Sequence, residues 1–134
     1  MKDILTFLMF SGENHGKARQ AVDFYVSLFP QARIERIDLW EPGEGQAEGT
    51  VKTAIFVLNG RRFMASENSL PHAFNFTPSM SLFVECDTEE EVERLFAALS
   101  DGGSALMPLG DYGFSRRFGW VADRFGITWQ LNLV

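Results

Sequence analysis

The chain is short of reactive groups and of long apolar runs. Its 134 residues include one cysteine, Cys86, and two histidines, His15 and His72. A lone thiol closes no intrachain disulfide, which fits a reducing compartment. Basic charge is scarce: 12 Lys and Arg stand against 18 Asp and Glu, a net charge of −6 with pI near 4.8. Nucleic-acid partners need a basic face, so that class is excluded. The acidity is weakly compatible with a cationic ligand. No apolar stretch approaches the roughly 20 residues of a membrane span. Met1-Lys2-Asp3-Ile4 leads straight into a strand with no apolar leader, so a cytoplasmic location is expected.

Aromatic residues, by contrast, are abundant. Thirteen Phe and three Trp favour strands and an aromatic-lined interior. The length predicts a single domain over 1–134. A chain of this size buries roughly 68% of its unfolded surface, enough for a core without disulfides or metal.

The order of apolar patterns occurs twice. Module one, 4–66, and module two, 79–134, each read as strand, helix and three strands, joined by a linker over 67–78. Val22, Tyr25, Val26 and Phe29 stand at i, i+3, i+4, i+7, and so do Val92, Leu95, Phe96 and Leu99. These spacings predict two amphipathic helices, over 17–29 and from about Asp87 to Ser100. Asn14 or Ser11 is expected to cap the first, and Asp87 or Thr88 the second. Strands are expected over 4–10, 32–40 with a bulge near Arg36, 51–58, 61–66, 80–86, 105–109, 113–121 and 127–133. Asn59-Gly60 predicts a tight hairpin turn. The fold class is therefore α+β, two tandem βαβββ modules whose sheets pair around a shared cleft.

Strand alternation assigns faces. Ile127, Trp129, Leu131 and Leu133 share one face of the last strand. Met80, Leu82, Val84 and Cys86 share one face of the fifth. These apolar sets are expected under the helices. The opposite, mixed faces carry Ser81 and Phe83 on the fifth strand and Gln130 on the last. In module one the matching positions are Leu5, Phe7 and Met9, with Arg62, Met64 and Ser66.

Several runs together resemble a known family. They include Phe7-Leu8-Met9-Phe10-Ser11-Gly12, Ala21-Val22-Asp23-Phe24-Tyr25-Val26-Ser27-Leu28-Phe29-Pro30, Arg62-Phe63-Met64-Ala65 and Ser81-Leu82-Phe83-Val84-Glu85-Cys86-Asp87. A further run is Gly119-Trp120-Val121-Ala122-Asp123-Arg124-Phe125-Gly126-Ile127-Thr128-Trp129-Gln130. The chain resembles the PhnB-like, 3-demethylubiquinone-9 3-methyltransferase-like branch of the vicinal oxygen chelate superfamily of glyoxalases, bleomycin-resistance proteins and dioxygenases. The resemblance implies paired βαβββ modules with a cleft between curved sheets, usually in a homodimer. It also implies a divalent metal held from strands one, four, five and eight. Those places fall at about Leu5, Met64, Ser79 and Gln130, where only Gln130 is a plausible ligand. No cofactor is therefore expected, with a divalent metal as the alternative. The methyltransferase label finds only two loop glycines, Gly12 and Gly16, in a fold lacking a doubly wound sheet.

The expected ligand cleft comprises Phe7, Met9, Arg62, Met64, Ser81, Phe83 and Gln130, an apolar slot for a small apolar or aromatic molecule. Such rings also fill closed cores. Gln130 more often only completes a hydrogen-bond network. His72 and Glu67 are the candidate acid–base residues, although a linker histidine is more often solvated, and Glu67 and Glu85 read as solvated strand ends. Arg62, Arg116 and Arg117 suit an anion but more often face solvent. Trp120 and Trp129 read as structural, and Cys86 as an inert buried thiol. The leading reading is a metal-independent small-molecule binder. The alternative is a metal-dependent lyase, dioxygenase or transferase using Gln130, with His72 and Glu67.

Overall fold

The computed structural model describes all 134 residues. Its elements are β1 (Thr6–Phe10), α1 (Ala18–Leu28), β2 (Arg33–Leu39), β3 (Val51–Leu58), β4 (Arg61–Glu67), β5 (Ser81–Cys86), α2 (Glu89–Ser100), β6 (Ser104–Gly110), β7 (Arg117–Ala122) and β8 (Thr128–Leu133), with a 3-10 turn at Gly12–Asn14. The α+β class and the doubled βαβββ order are as expected. The chain forms two compact units, Met1–Asn75 and Phe76–Val134. No helix is long and apolar enough to cross a membrane.

In the first unit the sheet order is β1-β4-β3-β2. β1 and β4 run parallel with Phe7 opposite Met64, and β3 runs antiparallel to β4 and β2. The β2 register slips between Ile34 and Arg36, the expected bulge. Asn59 and Gly60 both take positive φ, 49° and 77°, as a primed two-residue hairpin requires. One sheet face buries Leu8, Phe10, Ala54, Phe56, Phe63 and Ala65. Its helix, α1, buries Ala18, Ala21, Val22 and Tyr25. The Phe56 and Phe63 rings stack at 5.4 Å.

The start of α1 differs from expectation. Neither Ser11 nor Asn14 caps it, because the 3-10 turn takes up that loop and leaves Lys17 at the N-cap without a side-chain bond. The Glu67 carboxylate acts from a distance instead. Oε1 accepts the Ala18 N–H at 2.9 Å, and Oε2 accepts the Val51 N–H at 2.7 Å. Glu67 is 2% exposed and belongs to β4, so the solvated strand end read from the sequence is corrected. An acidic group beside the first helical N–H groups also complements the helix dipole.

The second unit has sheet order β5-β8-β7-β6, with β5 parallel to β8 and Phe83 opposite Gln130. This repeats the Phe7–Met64 relation of the first unit. Thr88 caps α2: its Oγ1 accepts the Glu91 N–H at 3.1 Å, and Glu91 reaches back to the Asp87 N–H at 3.0 Å, a reciprocal pattern close to a capping box. Helix α2 buries Val92, Leu95 and Leu99, and each leucine truncated to Ala would cost about 2–5 kcal/mol. Gly119 admits the helix closely. A Cβ there would stand 2.7 Å from the Phe96 ring.

Two strand boundaries are corrected. β5 begins at Ser81, and Met80 is exposed, because the linker is still turning there: the Met80 N–H donates to the Thr77 carbonyl. β7 begins at Arg117, not Gly113. Gly113 sits at φ 94° with its N–H on Asp111 Oδ1, an Asx-type turn that keeps Tyr112 and Phe114 in a loop. The turn after β7 is held by Asp123, whose carboxylate accepts from Phe125 N–H, Ile127 N–H and Trp129 Nε1.

Candidate functional site

Each sheet has one face under its helix and one face open, and the sequence-expected ligand residues lie on the open faces. In the first unit Phe7 is exposed, and Met9 and Met64 are half-buried. Ile55 stands opposite Met64 and extends the strip. Arg62 does not wait for an anion. It pairs with Glu35, Nη2 to Oε2 at 2.8 Å, and this bond chiefly holds the Glu35 carboxyl below its usual range. Ser66 donates to the Lys52 carbonyl.

The second unit carries the more aromatic face. Gln130 stands between Phe83 on β5 and Trp120 on β7, and Asn132 between Glu85 and Phe118. Gln130 is half-buried, and Phe83 is 55% exposed. Trp120, read from the sequence as merely structural, donates from Nε1 to Ser81 Oγ at 3.1 Å. Ser81 is also 2.7 Å from Thr128 Oγ1, which donates to the Met80 carbonyl. Beyond Phe118, the loop adds Phe114 and Tyr112. Phe114 lies 5.0 Å from Phe118 edge-on, Tyr112 lies 6.1 Å from it edge-on, and Phe83 lies 6.5 Å from it. Such tilted geometries suit the ring quadrupoles. Phe118, Trp120, Asn132, Tyr112 and Phe114 were missed from the sequence. The alternation of Phe118 and Trp120 against Gly119 and Val121 carried the signal for two of them.

Other candidates fall elsewhere. His72 is exposed beside Asn68 and Phe74, and lines an open cavity of about 460 Å³ with Ser11, Gly12, Glu13, Ala73, Phe74 and Asn75. The Glu67 carboxylate is engaged with Ala18 and Val51, so His72 and Glu67 make no pair. Arg117 bonds Glu93 of α2, which places it on the helix side. Arg116 is exposed. Trp129 and Cys86 are buried as expected, and burial pushes the Cys86 thiol up to about 11.

The residues do not suit the divalent metal that the fold family implies. Leu5 and Ser79 lie outside the strands. The ladder neighbours of Met64 and Gln130 are Phe7 and Phe83, which carry no donor atom. No group of three or more His, Cys, Asp or Glu side chains is placed to hold a metal ion. Parallel pairing is confined to β1/β4 and β5/β8, so the continuous parallel sheet on which nucleotide cofactors sit in doubly wound folds is not formed here.

The profile of the 3-demethylubiquinone-9 3-methyltransferase family matches residues 2–132. Among solved structures, the PhnB protein from Bacillus cereus is 47% identical, covering 99% of this chain and 100% of its own, with a TM-score of 0.92. Protein PA1353 from Pseudomonas aeruginosa is 29% identical over 99% and 98%, with a TM-score of 0.83. A glyoxylase/bleomycin resistance protein/dioxygenase domain from Frankia sp. EAN1pec shares the fold at 12% identity over 99% and 92%, with a TM-score of 0.63.

Proposed function

Because the chain belongs to the 3-demethylubiquinone-9 3-methyltransferase family, the PhnB-like branch of the glyoxalase/bleomycin-resistance/dioxygenase superfamily, we propose that it binds a small, planar aromatic molecule on the open face of its second sheet, without a resident metal. One observation carries this reading. Phe83 and Trp120 stand on either side of the half-buried Gln130 and offer it aromatic neighbours. Ligand sites combine such apolar lining with a few polar groups that fix orientation. The family's description names a quinone, whose ring is planar though not aromatic. Methyl transfer itself has no supporting geometry in this chain, and neither does metal-assisted chemistry. The family resemblance further supports a homodimer.

The test is a ligand-observed NMR screen of aromatic fragments against the wild-type protein, Phe83→Ala and Gln130→Ala. Saturable binding that weakens in both variants is expected. Removing a buried ring contact and an orienting hydrogen bond should each weaken binding by about 1 kcal/mol or more, roughly fivefold. Absence of saturable binding by the wild type, or binding indifferent to both substitutions, refutes the reading.

A further inference from the structure

We propose that the open cavity beside the β1–α1 turn is a second ligand site, which takes a small organic ammonium ion. Its volume is about 460 Å³, within the roughly 300–1,000 Å³ of small-molecule sites. Ser11, Gly12 and Glu13 form one wall and residues 72–75 the other, all within the first unit. Specific bonds hold the two walls against each other. The Asn68 N–H donates to the Phe10 carbonyl at 3.0 Å, which carries the β1/β4 pairing one step past the strands. Farther along, the Asn14 side-chain amide, 4% exposed, donates to Asn75 Oδ1 at 3.4 Å. The cavity is therefore built into the fold at both ends of its outer wall.

The lining selects a cation. Glu13 is exposed and enters no salt bridge. No Lys or Arg lines the cavity, so nothing there neutralises its carboxylate, and a carboxylate or phosphate ligand is repelled. On the opposite wall the His72 and Phe74 rings lie 5.1 Å apart at 36°. Phe74 is 63% exposed, and the face of such a ring attracts a cation through its quadrupole. Ser11 is 3% exposed, and its hydroxyl caps no N–H of the turn, which leaves that oxygen able to accept. A bare divalent ion is a poor fit, because it needs several oxygen ligands and no group of three or more His, Cys, Asp or Glu gathers there. An ammonium needs only one carboxylate, an acceptor and a ring face, and its apolar body can rest on Phe74. The net charge of −6 also raises the local concentration of cations.

Cyclohexylmethylamine and cyclohexylmethanol isolate the charge, since they share a saturated body and only the amine is cationic at neutral pH. In a 15N-correlated NMR titration of the full-length protein, the amine should move the Gly12 and Ala73 amide signals saturably while the Trp120 indole signal stays in place. It should bind roughly two- to thirtyfold tighter than the alcohol, the range expected for a cation on an aromatic face, and added salt should weaken the amine alone. Glu13→Gln should bring the ratio close to one, and Phe74→Ala should weaken the amine about twofold or more; both side chains are exposed, so neither change threatens the fold. Equal affinities of the amine and the alcohol for the wild type overturn the inference. So does a preference for the amine that persists in Glu13→Gln, or the absence of saturable movement at Gly12 and Ala73. None of these results bears on aromatic binding at the second sheet, which the fragment screen reads separately.

Discussion

Substituting Glu67 is expected to destabilise the first unit more than any surface change of comparable size. Its two carboxylate oxygens accept the Ala18 and Val51 N–H groups at 2.9 and 2.7 Å, and the side chain is 2% exposed. Hydrogen bonds to a charged group contribute about 1.5–3 kcal/mol each, and the favourable position at the start of α1 adds about 0.5 kcal/mol. Glu67→Ala strands two buried donors and should lose about 3.5–6.5 kcal/mol. At about 4 °C per kcal/mol for a chain of this size, the unfolding midpoint falls by about 14–26 °C. Glu67→Gln keeps one acceptor and turns an NH2 group toward the other donor, so it should lose about 2 kcal/mol. Circular dichroism melting of the three proteins reads these values. If both variants melt within about 2 °C of the wild type, the assignment of Glu67 as the anchor of α1 is wrong.

Two further outcomes follow from close packing and burial. Gly119→Ala places a methyl 2.7 Å from Phe96; overpacking of this kind should cost about 1–3 kcal/mol in urea unfolding, and Gly119→Ala combined with Phe96→Leu should recover part of the loss. The Cys86 thiol is pushed up to about 11 from 9.0 by burial first, then by Glu91 and Asp87. Its alkylation in the native state should therefore run about a hundredfold slower than in urea at the same pH. Because the unfolded chain releases that proton first, the Cys86 contribution to stability is intact below pH 9 and is lost as the pH rises from 9 toward 11.

The periodic parts of the chain were legible in its sequence. Trp129, Leu131 and Leu133 alternate with Thr128, Gln130 and Asn132 over a whole strand, so their faces could be assigned without coordinates. Helix spacing and the Asn59-Gly60 turn were equally local signals. What escaped was decided at long range. Glu67 follows an apolar strand and looks like a solvated end; only the arrival of Ala18 and Val51, 49 and 16 residues away, makes it a buried anchor. Met80 continues the apolar alternation of β5 but falls in the linker's turn. Trp120 reads as structural because a tryptophan near a strand end suits either face, and its bond to Ser81 reaches across the intervening β8.

The three tryptophans offer the most direct test of ligand binding at the second sheet. Trp40 donates its indole N–H to the Glu67 carbonyl, Trp129 donates to Asp123, and Trp120 donates to Ser81 on the open face. In a 15N-correlated NMR titration with 2-naphthol, the Trp120 indole signal should move saturably while those of Trp40 and Trp129 stay in place. Shifts confined to Trp40, or no saturable movement at Trp120, would contradict the account.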